Sequence, residues 1–379
     1  MQKSRKKQSF FNTDGKMDIT FLSLVLILLT IGLVMLFSAS YAFSYENYGN
    51  SYRFIARQAI FAVAGVIVML VVSTINYRIY RKFAWVFYFI VMAILIALLI
   101  MPPMLKGMDV KRWLVIGPIN FQPSEFAKFA VVLLLSSLIA ANYKLMEKFG
   151  FVAFLLGLVA VPCALIVLEP HLSATVLVFC LGIVLLIVGG LAKKYIIGGI
   201  GVGVVGVAAL IVSGAVSYAS DRLQYWLNPW LDPSGKGFQT IQSLLAIGSG
   251  GILGRGIGQS RQKHLWVPEP HNDFIFSIVC EELGLIGAMV IIILFCLLVW
   301  RGFTIAMKAN DKFGSLMAIG LTFQVGLQAL LNIWVVTNTM PNTGISLPFF
   351  SYGGTSLLIL LAEMGIVLSI SRSTNLEKT

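Results

Sequence analysis

The chain has 379 residues, of which 58% are hydrophobic and only 12% charged, with a formal net charge of +12. Such a composition excludes a soluble globular domain and reads as a polytopic membrane protein. No basic-aromatic module or DNA-binding motif accompanies the positive charge, so nucleic acid is excluded as a partner and the charge is assigned to topology and to contact with membrane lipids.

An apolar run of about 20 residues is needed to cross a hydrocarbon core of about 30 Å. Runs of that kind fall at 19–41, 54–75, 83–101, 123–141, 151–168, 172–191, 195–216, 274–300, 313–337 and 348–370. The expected fold is therefore an all-α polytopic membrane protein with ten transmembrane helices. A basic tail (1–16) precedes a single membrane domain (17–371), and a short tail (372–379) follows it. Span 1 reads as an uncleaved signal anchor, because its apolar run is too long for a signal-peptide core. Lysine and arginine cluster before span 1 and after spans 2, 4, 6, 8 and 10, which places both termini in the cytoplasm. Lys106, Lys111 and Arg112, between spans 3 and 4, are basic on the exterior side, an exception that calls for an anionic partner.

Arg57 in span 2 is a buried-charge candidate and reads first as one half of a structural pair. Upstream of span 4, Arg112-Trp113 offers a guanidinium and an aromatic that suits either an interfacial anchor or a substrate contact. Gln122-Pro123-Ser124-Glu125 places proline at a first helical position and a carboxylate in the first turn. Lys128 follows on the same helical face, so that it can pair with Glu125 or help hold a polar lipid headgroup. The four cysteines, Cys163, Cys180, Cys280 and Cys296, all fall within apolar spans without Cys-x-x-Cys spacing, so neither a disulfide framework nor a zinc site is expected.

The one long loop, 217–272, is exterior in this topology, and function is expected to concentrate there. The stretch from Phe238 to Ile247 suits a short interfacial helix. Glycines 248, 250, 251, 254, 256 and 258, interleaved with Ser249, Arg255 and Ser260, then let backbone N–H groups crowd an anion, and Gln259, Arg261, Gln262 and Lys263 favour a phosphate-bearing ligand; a ligand-free lid of tight turns is the alternative. Two nucleotide-like patterns are discounted. Gly201-x-Gly203-x-x-Gly206 lies inside span 7 with no preceding strand, and Ser234-Gly235-Lys236-Gly237 lacks the rest of a P-loop. The loop ends on Pro268-Glu269-Pro270-His271-Asn272-Asp273, which sets the Asp273 carboxylate at the membrane border as the leading functional candidate.

In span 8, Glu281 and Glu282 are adjacent and cannot share one helical face, so at least one is expected to meet a cavity or partner. Glu363 in span 10 reads, like Arg57, as a structural pair. Between spans 9 and 10 the uncharged run from Asn342 to Ser356, rich in glycine, proline and hydroxyls, suggests non-helical backbone at membrane depth under a protein cover.

That run resembles the SEDS family of shape, elongation, division and sporulation proteins. So do Gln122-Pro-Ser-Glu125-x-x-Lys128, Ala246-Ile-Gly-Ser-Gly-Gly251 and Pro268-Glu-x-His-x-Asp-Phe-Ile-Phe276. The resemblance covers nearly the whole chain. Asp232-Pro-x-Gly-x-Gly237 and Gly256-x-Gly-Gln-Ser-Arg-Gln-Lys263 place it nearer the FtsW and SpoVE branch than RodA, and Asn272 stands where threonine is common. The resemblance implies a multi-pass protein of the bacterial cytoplasmic membrane that polymerises lipid II on the outer face. It also implies a class B penicillin-binding transpeptidase as partner, with other division or sporulation membrane proteins. By the same motifs Asp273 is the essential carboxylate, with Trp113, Glu125, Lys128, Ser351 and Tyr352 lining its cavity and His271 beside it.

Chemically, a lipid pyrophosphate is already an acidic leaving group, so a single base suffices where hydrolases need paired carboxylates. Asp273 would take the proton of the acceptor 4-hydroxyl as it attacks the anomeric carbon with inversion. Lys111, Arg112, Lys128 or Arg255 would stabilise the departing pyrophosphate, with or without a divalent cation such as Mg or Mn; no organic cofactor is expected. Coordination of that cation by Asp273 is the competing role. The alternative functions are a lipid II flippase without glycosyl transfer, disfavoured by polar motifs gathered on one face and by the lack of an evident inverted repeat, and a scaffold for division proteins.

Overall fold

The computed structural model describes residues 15–101, 112–116, 119–195, 224–264 and 266–374. In chain order its helices are α1 (Ile19–Tyr48), α2 (Arg53–Thr74), α3 (Tyr80–Ile100), α4 (Pro123–Asn142), α5 (Phe149–Leu168), α6 (Leu172–Val188), α7 (Phe238–Gly250), α8 (Ile275–Met307), α9 (Lys312–Val336) and α10 (Gly354–Arg372). Among the described residues, eight helical stretches are long and apolar enough to cross a membrane: α1, α2, α5, α8, α9, α10, and α3 and α4 with their adjoining 3-10 turns. At 17 residues α6 is shorter. Apart from Tyr195, the expected span 195–216 lies outside the described residues, as do the glycine pattern it contains and Lys111.

The bundle is apolar on its outside and carries its polar side chains inside. Ile60, Phe83 and Ile100 are exposed on outward faces, while Gln58, Lys128, Gln324 and Asn332 are buried between helices. That arrangement inverts the soluble pattern and matches a hydrocarbon surround, in which polar groups must find partners within the protein. Close helix approach uses small residues: a Cβ at Gly365 of α10 would lie 2.6 Å from the Met69 carbonyl oxygen of α2. In the interior, α4 is flanked by α3, α6 and α9.

Two expectations are corrected, and a third feature lies beyond the sequence reading. The molecule is not purely α-helical, because Leu114–Ile116 (β1) and Ile119–Phe121 (β2) pair antiparallel, with Val115 opposite Asn120, in a hairpin that delivers the chain into α4. The last span begins at Gly354 rather than 348, because the Asn342–Gly353 segment stays non-helical. Its Ile345, Leu347, Phe349 and Phe350 are buried, so protein covers this irregular backbone as its composition suggested.

The third feature is the break in α8. Gly284 takes a left-handed φ of 68°, and the glycine loop repairs the ladder. Arg255 and Gly256 donate backbone N–H to the Glu281 and Glu282 carbonyls at 3.0 and 2.9 Å, while Leu285 and Ile286 donate to the Gly251 and Ile252 carbonyls at 2.9 and 3.2 Å. Only glycine permits this contact, since a Cβ at Gly254 would lie 2.3 Å from the Glu282 carbonyl oxygen.

Candidate functional site

A cavity of about 500 Å³ opens at the end of the bundle where the β-hairpin, the start of α4 and the 268–273 and 342–353 segments converge. Its lining includes Asp273, Glu269 and His271, with Arg112 and Trp113 from the hairpin side, Glu125 from α4, Arg57 from α2, and Ser351 and Tyr352. Residues drawn from five separate stretches of sequence thus share one chamber.

Backbone hydrogen bonds hold the two irregular segments together. Tyr352 donates its N–H to the His271 carbonyl at 2.9 Å. The Ser351 hydroxyl donates to the Asn272 carbonyl at 2.8 Å and accepts from Leu347 N–H at 2.7 Å. From below, Asn332 of α9 donates Nδ2–H to the carbonyls of Asp273 and Ile345, at 2.7 and 2.6 Å. On α2, Gln58 donates to the Ser351 carbonyl and accepts from Gly353 N–H, at 3.2 and 3.1 Å. These buried amides satisfy carbonyls that irregular backbone would otherwise leave bare in the membrane domain.

The Asp273 carboxyl faces the chamber, and among the described residues no hydrogen-bond donor reaches it. Burial raises its pKa to about 6, the nearby Glu269 charge adds to the rise, and Arg112 opposes it. A carboxylate in that range is ionised at neutral pH and still basic enough to take a proton. Gly344 gives it room: at φ 70° the glycine needs no side chain, and a Cβ there would lie 3.2 Å from Asp273 Oδ2. His271 is kept neutral, its pKa lowered to about 4 by burial. Its ring rests on Phe54 and Phe43, with centroids 4.3 and 4.9 Å away, so it acts as a wall of the cavity.

The expected Glu125–Lys128 pair is present at 2.8 Å, with Lys128 fully buried and also donating to Gln328 Oε1 at 3.2 Å. Glu125 lines the cavity while its lysine sits beneath, committed to neutralising it. Arg112 donates to the Pro170 carbonyl between α5 and α6.

Two expected ligand contacts lie elsewhere. Lys263 is buried against Glu282 at 3.0 Å and also donates to the Gly258 carbonyl and to Ser38 of α1, at 2.7 and 3.2 Å. Arg255 faces Glu281 at 3.7 Å and donates to the Ser249 carbonyl. The glycine stretch packs on the backbone of the α8 break, and the residues that follow it, 260–262, gather on an anion that belongs to the chain. The Glu281 carboxylate accepts from the backbone N–H groups of Arg261 and Gln262, at 3.0 and 3.3 Å, and from the Ser260 hydroxyl at 2.5 Å. Both adjacent glutamates are buried in this internal network and neither lines the cavity.

Arg57 is also corrected. It is exposed to the chamber and has no acidic partner among the described residues. Glu363, by contrast, is buried and accepts from Gln324 Nε2 at 2.9 Å. Sequence reasoning passed over His171 and Glu169, both in the α5–α6 turn. His171 lines the cavity beside Gln122 and Ser124, and burial, reinforced by the Arg112 and Lys128 charges, lowers its pKa to about 3. Glu169 is pushed up to about 8 by burial, opposed by Arg112. Glu169-Pro170-His171 does break the apolar pattern between spans 5 and 6, and that interruption was the available signal.

A helical membrane bundle with a polar, carboxylate-bearing chamber at one end, roofed by irregular backbone, is the class of protein these features define. The chain belongs to the FtsW/RodA/SpoVE family, whose model, described as "Cell cycle protein", matches residues 19–376. It is 39% identical to stage V sporulation protein E of Bacillus subtilis, over 94% of this chain and 97% of that protein. It is 36% identical to a probable peptidoglycan glycosyltransferase FtsW of Geobacter metallireducens, over 93% and 94%. Its fold matches a chain of a solved peptidoglycan synthase complex, reported as coordinating polymerization and crosslinking, with a TM-score of 0.76 at 28% identity over 94% and 98%. The Thermus thermophilus rod shape determining protein RodA superposes with a TM-score of 0.70 at 26% identity, over 95% and 98%.

Proposed function

We propose that this chain is a peptidoglycan glycosyltransferase that joins one lipid II to the 4-hydroxyl of another on the outer face of the bacterial cytoplasmic membrane, in division or sporulation. The observation that carries this reading is the Asp273 carboxylate, without a donor among the described residues and with its pKa raised to about 6, inside a chamber of about 500 Å³ that also holds cations. Asp273 takes the acceptor hydroxyl proton, and the oxygen bonds to the donor's anomeric carbon as the bond to pyrophosphate breaks with inversion. Undecaprenyl pyrophosphate leaves, its developing charge met by Arg112. Neutral His271 and the Glu125–Lys128 pair shape and support the chamber.

Ten membrane helices, with 195–216 as the seventh, would place both termini in the cytoplasm and the chamber outside, in keeping with the charge asymmetry of the loops. A class B penicillin-binding transpeptidase is the partner this reading calls for, supported by the fold match to a chain of a synthase complex. A divalent cation also fits. Among the described residues no three His, Cys, Asp or Glu side chains cluster to hold one. Asp273 and Glu269 both line the chamber, however, and magnesium commonly takes one or two carboxylates from protein and the rest from substrate phosphates. Bound there, it would neutralise the leaving pyrophosphate.

The test incubates purified protein with lipid II, with and without the transpeptidase, comparing wild type with Asp273→Ala. Glycan chains are expected from wild type and not from the variant. Unlinked lipid II in every lane, with fold and partner binding verified, overturns the reading.

A further inference from the structure

The chamber must bind a doubly anionic pyrophosphate, yet most of its expected cations are committed. Lys128 is fully buried and paired with Glu125 at 2.8 Å, and Lys263 and Arg255 neutralise Glu282 and Glu281 outside the chamber, which leaves Arg112, itself donating to the Pro170 carbonyl, to meet that charge. Among the described lining residues, Arg57 is the one cation with neither an ion pair nor a hydrogen bond.

Its placement is not accidental. Phe54, Arg57 and Phe61 recur at three- and four-residue spacing, so they share the face of α2 that looks into the chamber. The neighbouring Gln58 is fully buried and grips both Ser351 and Gly353, at 3.2 and 3.1 Å. This two-point clasp fixes the rotation of α2 against the 342–353 segment and thereby aims the preceding residue. Arg57 lies about one helical turn from the start of α2, at the end of the helix that borders the chamber. A guanidinium in that position matches phosphate geometry with two parallel N–H donors.

We propose that Arg57 binds the pyrophosphate of the lipid-linked substrate. The inference rests on the glycosyltransferase reading for the identity of that substrate, and its test is a binding measurement that needs no turnover. Wild type, Arg57→Gln, Arg57→Lys and the control Arg53→Gln, whose arginine packs on Tyr48 with 4.2 Å to the ring centroid, are purified in neutral detergent. Each is titrated with undecaprenyl pyrophosphate, undecaprenol, inorganic pyrophosphate and phosphatidylglycerol micelles, and its thermal transition is recorded to verify the fold.

Loss of a charge-assisted bidentate contact is expected to weaken undecaprenyl pyrophosphate binding by roughly ten-fold or more in Arg57→Gln. Undecaprenol binding stays the same, Arg57→Lys recovers part of the loss, and Arg53→Gln matches wild type. Equal affinity of wild type and Arg57→Gln for undecaprenyl pyrophosphate overturns the proposal. An equal loss for undecaprenol does so too, because Arg57 then acts by packing, and so does an equal loss for phosphatidylglycerol, because Arg57 is then a general headgroup contact. If binding depends on Arg57 while wild type with its transpeptidase makes no glycan, the polymerase reading falls and the pyrophosphate site stands.

Discussion

The two charged neighbours of Asp273 should move its ionisation in opposite directions. As a base, Asp273 must be deprotonated, so a pKa of about 6 predicts a rate that holds above neutrality and is lost as pH falls through 6. Roughly 90% of the enzyme is competent at pH 7 and about 10% at pH 5. Burial is the largest cause of the rise, Glu269 adds to it and Arg112 opposes it. Glu269→Gln keeps an acceptor for Asn272, which donates to it at 2.8 Å, while removing the like charge. Its acid limb should therefore move down. Because burial is the largest cause of the rise, the limb should stay above the ordinary aspartate value of 3.8. Arg112→Gln should carry the limb above 6 and lower the plateau as well, since in the proposed reaction that guanidinium also meets the leaving group. Glu269 is exposed to solvent, so its effect should shrink as salt is raised. The assay is single-turnover lipid II polymerisation from pH 4.5 to 8, with the transpeptidase present and the protein checked for folding at each pH. A limb that is absent, or that moves up in Glu269→Gln, refutes the assignment of Asp273 as base.

The internal anion network should be a stability element. Lys263→Met leaves Glu282 buried without its cation, and removing one partner of such a pair costs about 3–5 kcal/mol; a lowered thermal transition in detergent checks this, and an unchanged one refutes it. Asn332→Leu strips the shared amide from the Asp273 and Ile345 carbonyls, at about 1–3 kcal/mol for each polar group left unsatisfied. Its kcat should fall more than its substrate affinity, and its acid limb should shift, which a purely structural defect would not produce.

Sequence alone determined the class and most of the spans and singled out Asp273, because hydrocarbon thickness, loop charge and the expense of an ionisable group at a membrane border act locally along the chain. The Glu125–Lys128 pair was legible for the same reason, since three-residue spacing puts both on one helical face. The destinations of the other charges were not legible. Arg255 and Lys263 looked like ligand cations beside a glycine-rich anion trap, but the trap closes on Glu281 and Glu282, across a break in α8 that only the packed loop reveals. Arg57 looked like half of a structural pair and instead lines the chamber with no acidic partner among the described residues. His171 and Glu169 became visible only once α5, α6 and the β-hairpin met. Which of several like-charged side chains is neutralised within the fold and which is left for a ligand depends on partners distant in sequence. The tertiary structure decides that question because burying a charge is tolerable only where a counter-charge or donor arrives with it.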